Sequence, residues 1–158
     1  MQVKMNVNGQ AFDADITPRL NLADCIRHEM HLTGTHVACE HGVCGSCTVL
    51  VNGEAVRSCL MLAVQANGQS IVTVEGLSSD EELSALQASF RKHNALQCGF
   101  CTPGFITTAH ALLTKEPNCD ENRVREVLSG NLCRCTGYVP IVQAVLDARV
   151  AYQKVGAH

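Results

Sequence analysis

Eight of the ten cysteines in this 158-residue chain fall into two quartets, Cys39-x4-Cys44-x2-Cys47-x11-Cys59 and Cys98-x2-Cys101-x31-Cys133-x1-Cys135. Four thiolates gathered at one place are what a [2Fe–2S] cluster requires, and the x4-then-x2 triplet is the plant-type spacing. Two quartets imply two such centres, and two centres in series imply an electron relay. Any fold for this chain must therefore bring together cysteines separated by as many as 31 intervening residues.

The stretches around the quartets predict two kinds of structure. Val3, Met5 and Val7 alternate with polar residues, Asn8-Gly9 is a hairpin signal, and residues 11–16 supply the return strand. Asn21 or Thr17 is placed to cap a helix over 22–30, with Leu22, Ile26 and Met30 on one face. A glycine-punctuated loop, Gly34 to Gly45, carries the first two ligands. Thr48 to Val51 reads as a strand, Asn52-Gly53 as its turn, Glu54 to Leu60 as the returning strand with Cys59 on it, and Ser70 to Val74 as a last strand.

After Gly76 the apolar period becomes helical. Ser79-x-x-Glu82 reads as a capping box ahead of Leu83, Leu86 and Phe90. Thr102-Pro103 reads as an N-cap and first turn of a helix through Ile106, Ala109 and Leu113, stopped by Pro117. Asp120 caps a third helix, Glu121 to Ser129, with Gly130 as its stop, and a fourth runs from about Tyr138 to Lys154. The expected fold class is α+β: an N-terminal β-grasp, ferredoxin-like [2Fe–2S] domain over residues 1–77, then an all-α four-helix [2Fe–2S]-binding domain over 78–158, with the boundary at 76–80. Both Cys98–Gly104 and Cys133–Tyr138 run from a cysteine pair through Thr into a helix, so Cys101 and Cys135 are expected just before helix N-termini, whose dipole favours a negatively charged centre.

The formal charge of -3 becomes more negative once each oxidised centre adds about -2. No basic stretch suggests nucleic acid, and no apolar run approaches the roughly 18 residues that span a bilayer. The N-terminus lacks the pattern of a secretory signal. Ten cysteines without an export signal favour metal ligation over disulfides, and the chain is expected in the cytoplasm. A zinc site is the competing reading of the cysteines, because Cys98-x2-Cys101 alone suits zinc equally; the x4-x2 triplet and Cys133-x1-Cys135 are poor zinc spacings. Cys25 is expected as a small buried hydrophobe and Cys119 as a free loop thiol. His41 is expected to hydrogen-bond locally, and His28, His31 and His36 to be surface or packing residues.

Three motifs, Cys39-Glu40-His41-Gly42-Val43-Cys44-Gly45-Ser46-Cys47-Thr48-Val49, Gln97-Cys98-Gly99-Phe100-Cys101-Thr102-Pro103-Gly104 and Gly130-Asn131-Leu132-Cys133-Arg134-Cys135-Thr136-Gly137-Tyr138, closely resemble the iron–sulfur small subunits of the xanthine dehydrogenase family of molybdenum hydroxylases. Similar subunits occur in carbon monoxide dehydrogenase, 4-hydroxybenzoyl-CoA reductase, and the quinoline, nicotine and nicotinate dehydrogenases. The resemblance implies two [2Fe–2S] clusters on this chain, a large molybdopterin-binding subunit and a medium FAD-binding subunit as partners, and a doubled heterotrimer. The cytosine dinucleotide is one form the pterin could take. It implies that Cys98, Cys101, Cys133 and Cys135 hold the cluster beside the pterin, that Cys39, Cys44, Cys47 and Cys59 hold the one toward the flavin, and that Gln97 and Cys135 contact the pterin. The chain would be a non-catalytic electron-transfer subunit. A stand-alone two-cluster ferredoxin and a zinc-stapled interaction module are the readings that compete with it.

Overall fold

The computed structural model describes residues 1–79 and 82–155. Asp80, at the end of the expected domain boundary, and Glu81 beside it lie outside the described residues. The fold is α+β: a β-grasp, ferredoxin-like half followed by a four-helix half.

β1 (Gln2–Val7) and β2 (Gln10–Asp15) form the expected hairpin, with Asn8 and Gly9 both at positive φ, 52° and 83°, as a two-residue turn of this hand needs. β3 (Thr48–Val51) and β4 (Glu54–Arg57) form a second hairpin. β5 (Ser70–Val72) joins the two hairpins, parallel to β1 and antiparallel to β3, in the order β2-β1-β5-β3-β4.

Val3, Met5, Val7, Val49, Val51 and Ile71 bury one face of the sheet against α1 (Leu22–Asp24) and the turn that continues it, where Leu22, Ala23, Cys25 and Ile26 are inaccessible. Asn21 caps α1 by accepting the amide of Asp24 at 2.8 Å. From Cys25 to Glu29 the winding widens to a π turn, so the regular helix over 22–30 expected from the periodicity is broken after one turn. Leu32 N–H reaches back to the Ile26 carbonyl at 3.0 Å and ends it.

All four residues of β3 are buried. Alternation sends Val49 and Val51 into the β-grasp core and Thr48 and Leu50 to the opposite face, which α3 (Thr102–Lys115) covers. The strand thus has a core on each side, which explains its uninterrupted apolar run.

The second core lies among α2 (Ala85–Lys92), α3, α4 (Glu121–Leu128) and α5 (Val139–Val155). Leu86, Phe90, Phe105, Leu113, Val124, Ile141 and Val145 are its inaccessible centre. α2 starts later than Ser79 suggested. Ser79 Oγ does accept the amide of Glu82 at 3.1 Å, but the complete reciprocal box is Ser84 with Gln87, and Leu83, ahead of the helix, is exposed. At α3 the cap is Cys101, with Thr102 and Pro103 already inside the first turn. Asp120 caps α4 as expected, accepting the amide of Arg123 at 2.8 Å. Cys119 is a free thiol in the loop before α4, as expected, but that loop packs it into the helical core, and burial raises its thiol pKa.

Candidate metal centres

The first quartet is built around the turn from Cys39 to Cys47. Gly42 and Gly45 adopt φ of 82° and 75°, as a loop folding tightly around its own cysteines requires. The loop directs its amides at sulfur: Cys44 N–H donates to Cys39 Sγ at 3.4 Å. That contact, with further amides from His41 and Val43, holds the Cys39 thiol down at about 6, so the backbone favours the thiolate that a metal needs. His41 bonds locally, through Nδ1 to the Cys39 carbonyl.

Cys59 is not on the returning strand. β4 ends at Arg57, and Cys59 sits on a single 3₁₀ turn, Ser58–Leu60. Ser58 forms the bend by donating its hydroxyl to the Cys47 carbonyl at 2.6 Å, with its amide at 3.4 Å from the same oxygen. Cys59 is thereby carried to the neighbourhood of Cys47. Burial, then the Cys47 contact, pushes its thiol up to about 11.

The second quartet joins two loops of the helical half. Cys98 and Cys135 are exposed, with their sulfurs 3.6 Å apart. Cys101 and Cys133 lie deeper; burial, then the neighbouring Cys133, pushes the Cys101 thiol up to about 12. Burial opposes ionisation of Cys133, yet its pKa is lowered, because the hydroxyl and amide of Thr136 both point at its sulfur, 3.2 and 3.4 Å away. Cys101 stands at the N-terminus of α3, at the cap position expected of Thr102, whereas Cys135 is separated from α5 by Thr136, Gly137 and Tyr138, the last two at φ of 70° and 71°. Cys135 therefore does not cap α5.

The pairing of the thiols distinguishes the metal. Two sulfurs bound tetrahedrally to one ion at about 2.3 Å lie about 3.8 Å apart, so a zinc ion with four cysteines would draw every pair that close. Among the described residues no group of three or more His, Cys, Asp or Glu converges on one ion. The thiols act on one another chiefly in twos: the sulfurs of Cys98 and Cys135 lie 3.6 Å apart, and the ionisation of Cys39, Cys59 and Cys101 is shifted by the neighbouring side chains of Cys44, Cys47 and Cys133. Two metals, each held by two thiolates, are what a [2Fe–2S] cluster presents. The residues fit that group.

The two quartets are dovetailed, a relationship that the spacing of the cysteines does not signal. Leu132 N–H donates to the Cys44 carbonyl at 2.8 Å. Asn131, only 1% exposed, accepts from Thr108 Oγ1 and donates to the Gly45 carbonyl, both at 3.1 Å. Arg57 spans the same seam, donating to Gly130 O and Thr48 Oγ1 at 2.5 Å. His36 stacks on Phe100 with ring centroids 4.8 Å apart and bonds its carbonyl through Nδ1. The only sequence signal for this seam was the Gly-Asn-Leu lead into Cys133.

On the outer side, Gln97 Nε2 donates to the Cys135 carbonyl at 2.9 Å. The two residues implicated in pterin contact are therefore adjacent, on the exposed edge of the second quartet.

The family of 2Fe-2S iron-sulfur cluster binding domains matches residues 4–86, and the family of [2Fe-2S] binding domains matches residues 73–146. The chain is 53% identical to the caffeine dehydrogenase subunit gamma of Pseudomonas sp. (strain CBB1), over 90% of this chain and 87% of that one. It is 43% identical to a probable xanthine dehydrogenase subunit of Bacillus subtilis (strain 168), over 94% and 85%. Among solved structures, a chain of quinoline 2-oxidoreductase from Pseudomonas putida 86 superposes with a TM-score of 0.94 at 52% identity, covering 98% of this chain and 96% of that one.

Proposed function

This chain belongs to the iron–sulfur small subunits of the xanthine dehydrogenase family, and on that premise we propose that its eight motif cysteines hold two [2Fe–2S] clusters arranged in series. Cys39, Cys44, Cys47 and Cys59 hold the first; Cys98, Cys101, Cys133 and Cys135 hold the second. When bound, the clusters supply one-electron carriers between the molybdenum cofactor of one partner and the FAD of another.

The observation that carries this reading is the grouping of thiols in twos within each quartet. The chain's own residues do three things for the relay. They hold sulfur as thiolate, through the amides over Cys39 and the Thr136 contacts on Cys133. They keep the inner pair of the second quartet, Cys101 and Cys133, beside the first quartet through Leu132 and Asn131. They leave the outer pair, Cys98 and Cys135, open to a partner, with Gln97 and Cys135 as the pterin contacts.

The partners are a large molybdopterin-binding subunit and a medium FAD-binding subunit, in a dimer of heterotrimers. Support comes from apolar side chains left exposed beside both quartets: Val43 and Leu60 at the first, Leu96, Phe100 and Leu132 at the second. A carrier working alone has no use for such a rim, whereas a subunit buries it. The chain is the non-catalytic member of the complex, and its place is the cytoplasm. No helix among the described residues is long and apolar enough to cross a membrane. The two domains divide at 77/78, in keeping with the two separate cores, although Val74 and Leu77 already pack on the helical one.

Serine variants of the ligands test the assignment. In reduced protein showing two [2Fe–2S] paramagnetic resonance signals, Cys44→Ser should alter one and Cys133→Ser the other. A single signal responding to both substitutions would refute two separate ligand sets. Affinity capture of this chain should bring down two larger subunits; recovery of the chain alone would favour the free carrier.

A further inference from the structure

We propose that Thr136 raises the reduction potential of the second cluster by donating its hydroxyl proton to Cys133 Sγ. The inference rests on the ligand assignment above. The direction of the bond follows from a proton count. Thr136 Oγ1 lies 3.2 Å from Cys133 Sγ, and either atom of a free thiol pair could donate. The same oxygen already accepts the backbone N–H of Tyr138 at 3.1 Å. That occupies a lone pair of Oγ1 and leaves its single proton for another acceptor. A metal-bound Cys133 is a thiolate with no proton to give, so the hydroxyl must be the donor.

Cys133 Sγ thus receives two hydrogen bonds from one residue, the second being the Thr136 amide at 3.4 Å. Hydrogen bonds to the sulfurs stabilise the added electron, because reduction increases the negative charge they face. The hydroxyl is held from both sides. Tyr138, at φ of 71°, presents its amide to Thr136, while its phenol oxygen accepts the Cys133 amide at 3.0 Å. That closes a ring of contacts Cys133–Thr136–Tyr138–Cys133, so the donor is oriented before an electron arrives. In the first quartet, the hydrogen bond to Cys39 Sγ comes from a backbone amide, Cys44 N–H. A side-chain substitution at 136 can therefore move one centre without the other.

Thr136→Val keeps the β-branched shape and removes the donor; Thr136→Ser restores it. Midpoint potentials of both signals would be measured on the intact complex by redox titration with paramagnetic resonance. Thr136→Val should make one cluster about tenfold harder to reduce, a fall of about 59 mV for one electron. The other signal should stay in place, and Thr136→Ser should recover the original potential. Wild-type potentials in both variants, with both signals present, would overturn the proposal, as would equal shifts of both signals. If Thr136→Val assembles no second cluster, Thr136→Ala against Thr136→Ser makes the same comparison. Assembly in Ser alone would assign the hydroxyl to cluster building and overturn tuning. A wild-type complex with fewer than two iron signals would count against the ligand assignment instead.

Discussion

The amide of Leu132 donates to the carbonyl of Cys44 across 2.8 Å, so a residue adjoining one quartet is hydrogen-bonded to a member of the other. Asn131 fixes this contact from inside the protein by bridging Thr108 and Gly45. Asn131→Ala leaves the buried Thr108 hydroxyl without its acceptor and should cost about 1–3 kcal/mol in stability. It should also weaken the magnetic interaction between the two reduced clusters. The check is denaturation of the assembled protein together with the low-temperature spin–spin splitting. An unchanged splitting in a destabilised variant would leave Asn131 a packing residue only.

The backbone of α3 passes so close to the first loop that a Cβ on Gly104 would stand 2.2 Å from the Gly45 carbonyl. The obstacle is main chain and cannot swing aside. Gly104→Ala should destabilise the protein by about 1–3 kcal/mol through overpacking, with the loss concentrated at the seam. Gly53→Ala is the control: nothing lies within 4 Å of its Cβ, so only the strain of its φ of 84° remains. Hydrogen exchange at Ser46 to Val51 should quicken in Gly104→Ala and stay slow there in Gly53→Ala.

On the proposed ligand set, Cys133→Ala removes a ligand that ties the α4–α5 loop to the start of α3. It should abolish one iron signal and complex turnover, and loosen the helical half more than the sheet. Hydrogen exchange compared between α3–α5 and β1–β5 decides this, since a cluster that staples one half adds stability mainly there. Equal loosening of both halves would contradict two separately stapled units.

His110 is half-buried, its Nδ1 2.7 Å from the Tyr152 hydroxyl, and burial lowers its pKa below the ordinary histidine value. The unfolded chain therefore binds a proton at a higher pH than the folded one. Stability from neutral His110 is complete above about pH 6.5 and is lost as pH falls through the lower, folded value. Denaturation midpoints of wild type should fall between about pH 7 and 5 more steeply than those of His110→Gln. Parallel slopes would remove His110 from the acid sensitivity.

Local signals were readable from the sequence, and long-range ones were not. Asn-Gly turns, alternating Val3, Met5 and Val7, and the Asp120 cap depend on neighbours a few residues away, and each appears where its chemistry puts it. The cysteine spacing was legible for a similar reason: few arrangements of eight thiols serve one chemistry. The α2 cap lies at Ser84 because two serines able to cap, Ser79 and Ser84, stand five residues apart, and α3 begins one residue earlier than its Thr102 signal. Cys119 looked like a loop thiol because Pro117 and Asp120 mark a loop, yet that loop folds inward onto α5. The seam of Asn131, Gly45 and Gly104 joins residues up to 86 positions apart, and no local pattern encodes such an approach.

The most direct measurement is iron, zinc and acid-labile sulfide content, with paramagnetic resonance, on native complex purified without air. Two iron and two sulfide per quartet, and two distinct signals on reduction, are the expected result. Zinc in place of iron, or iron sufficient for one centre only, would contradict a two-cluster relay.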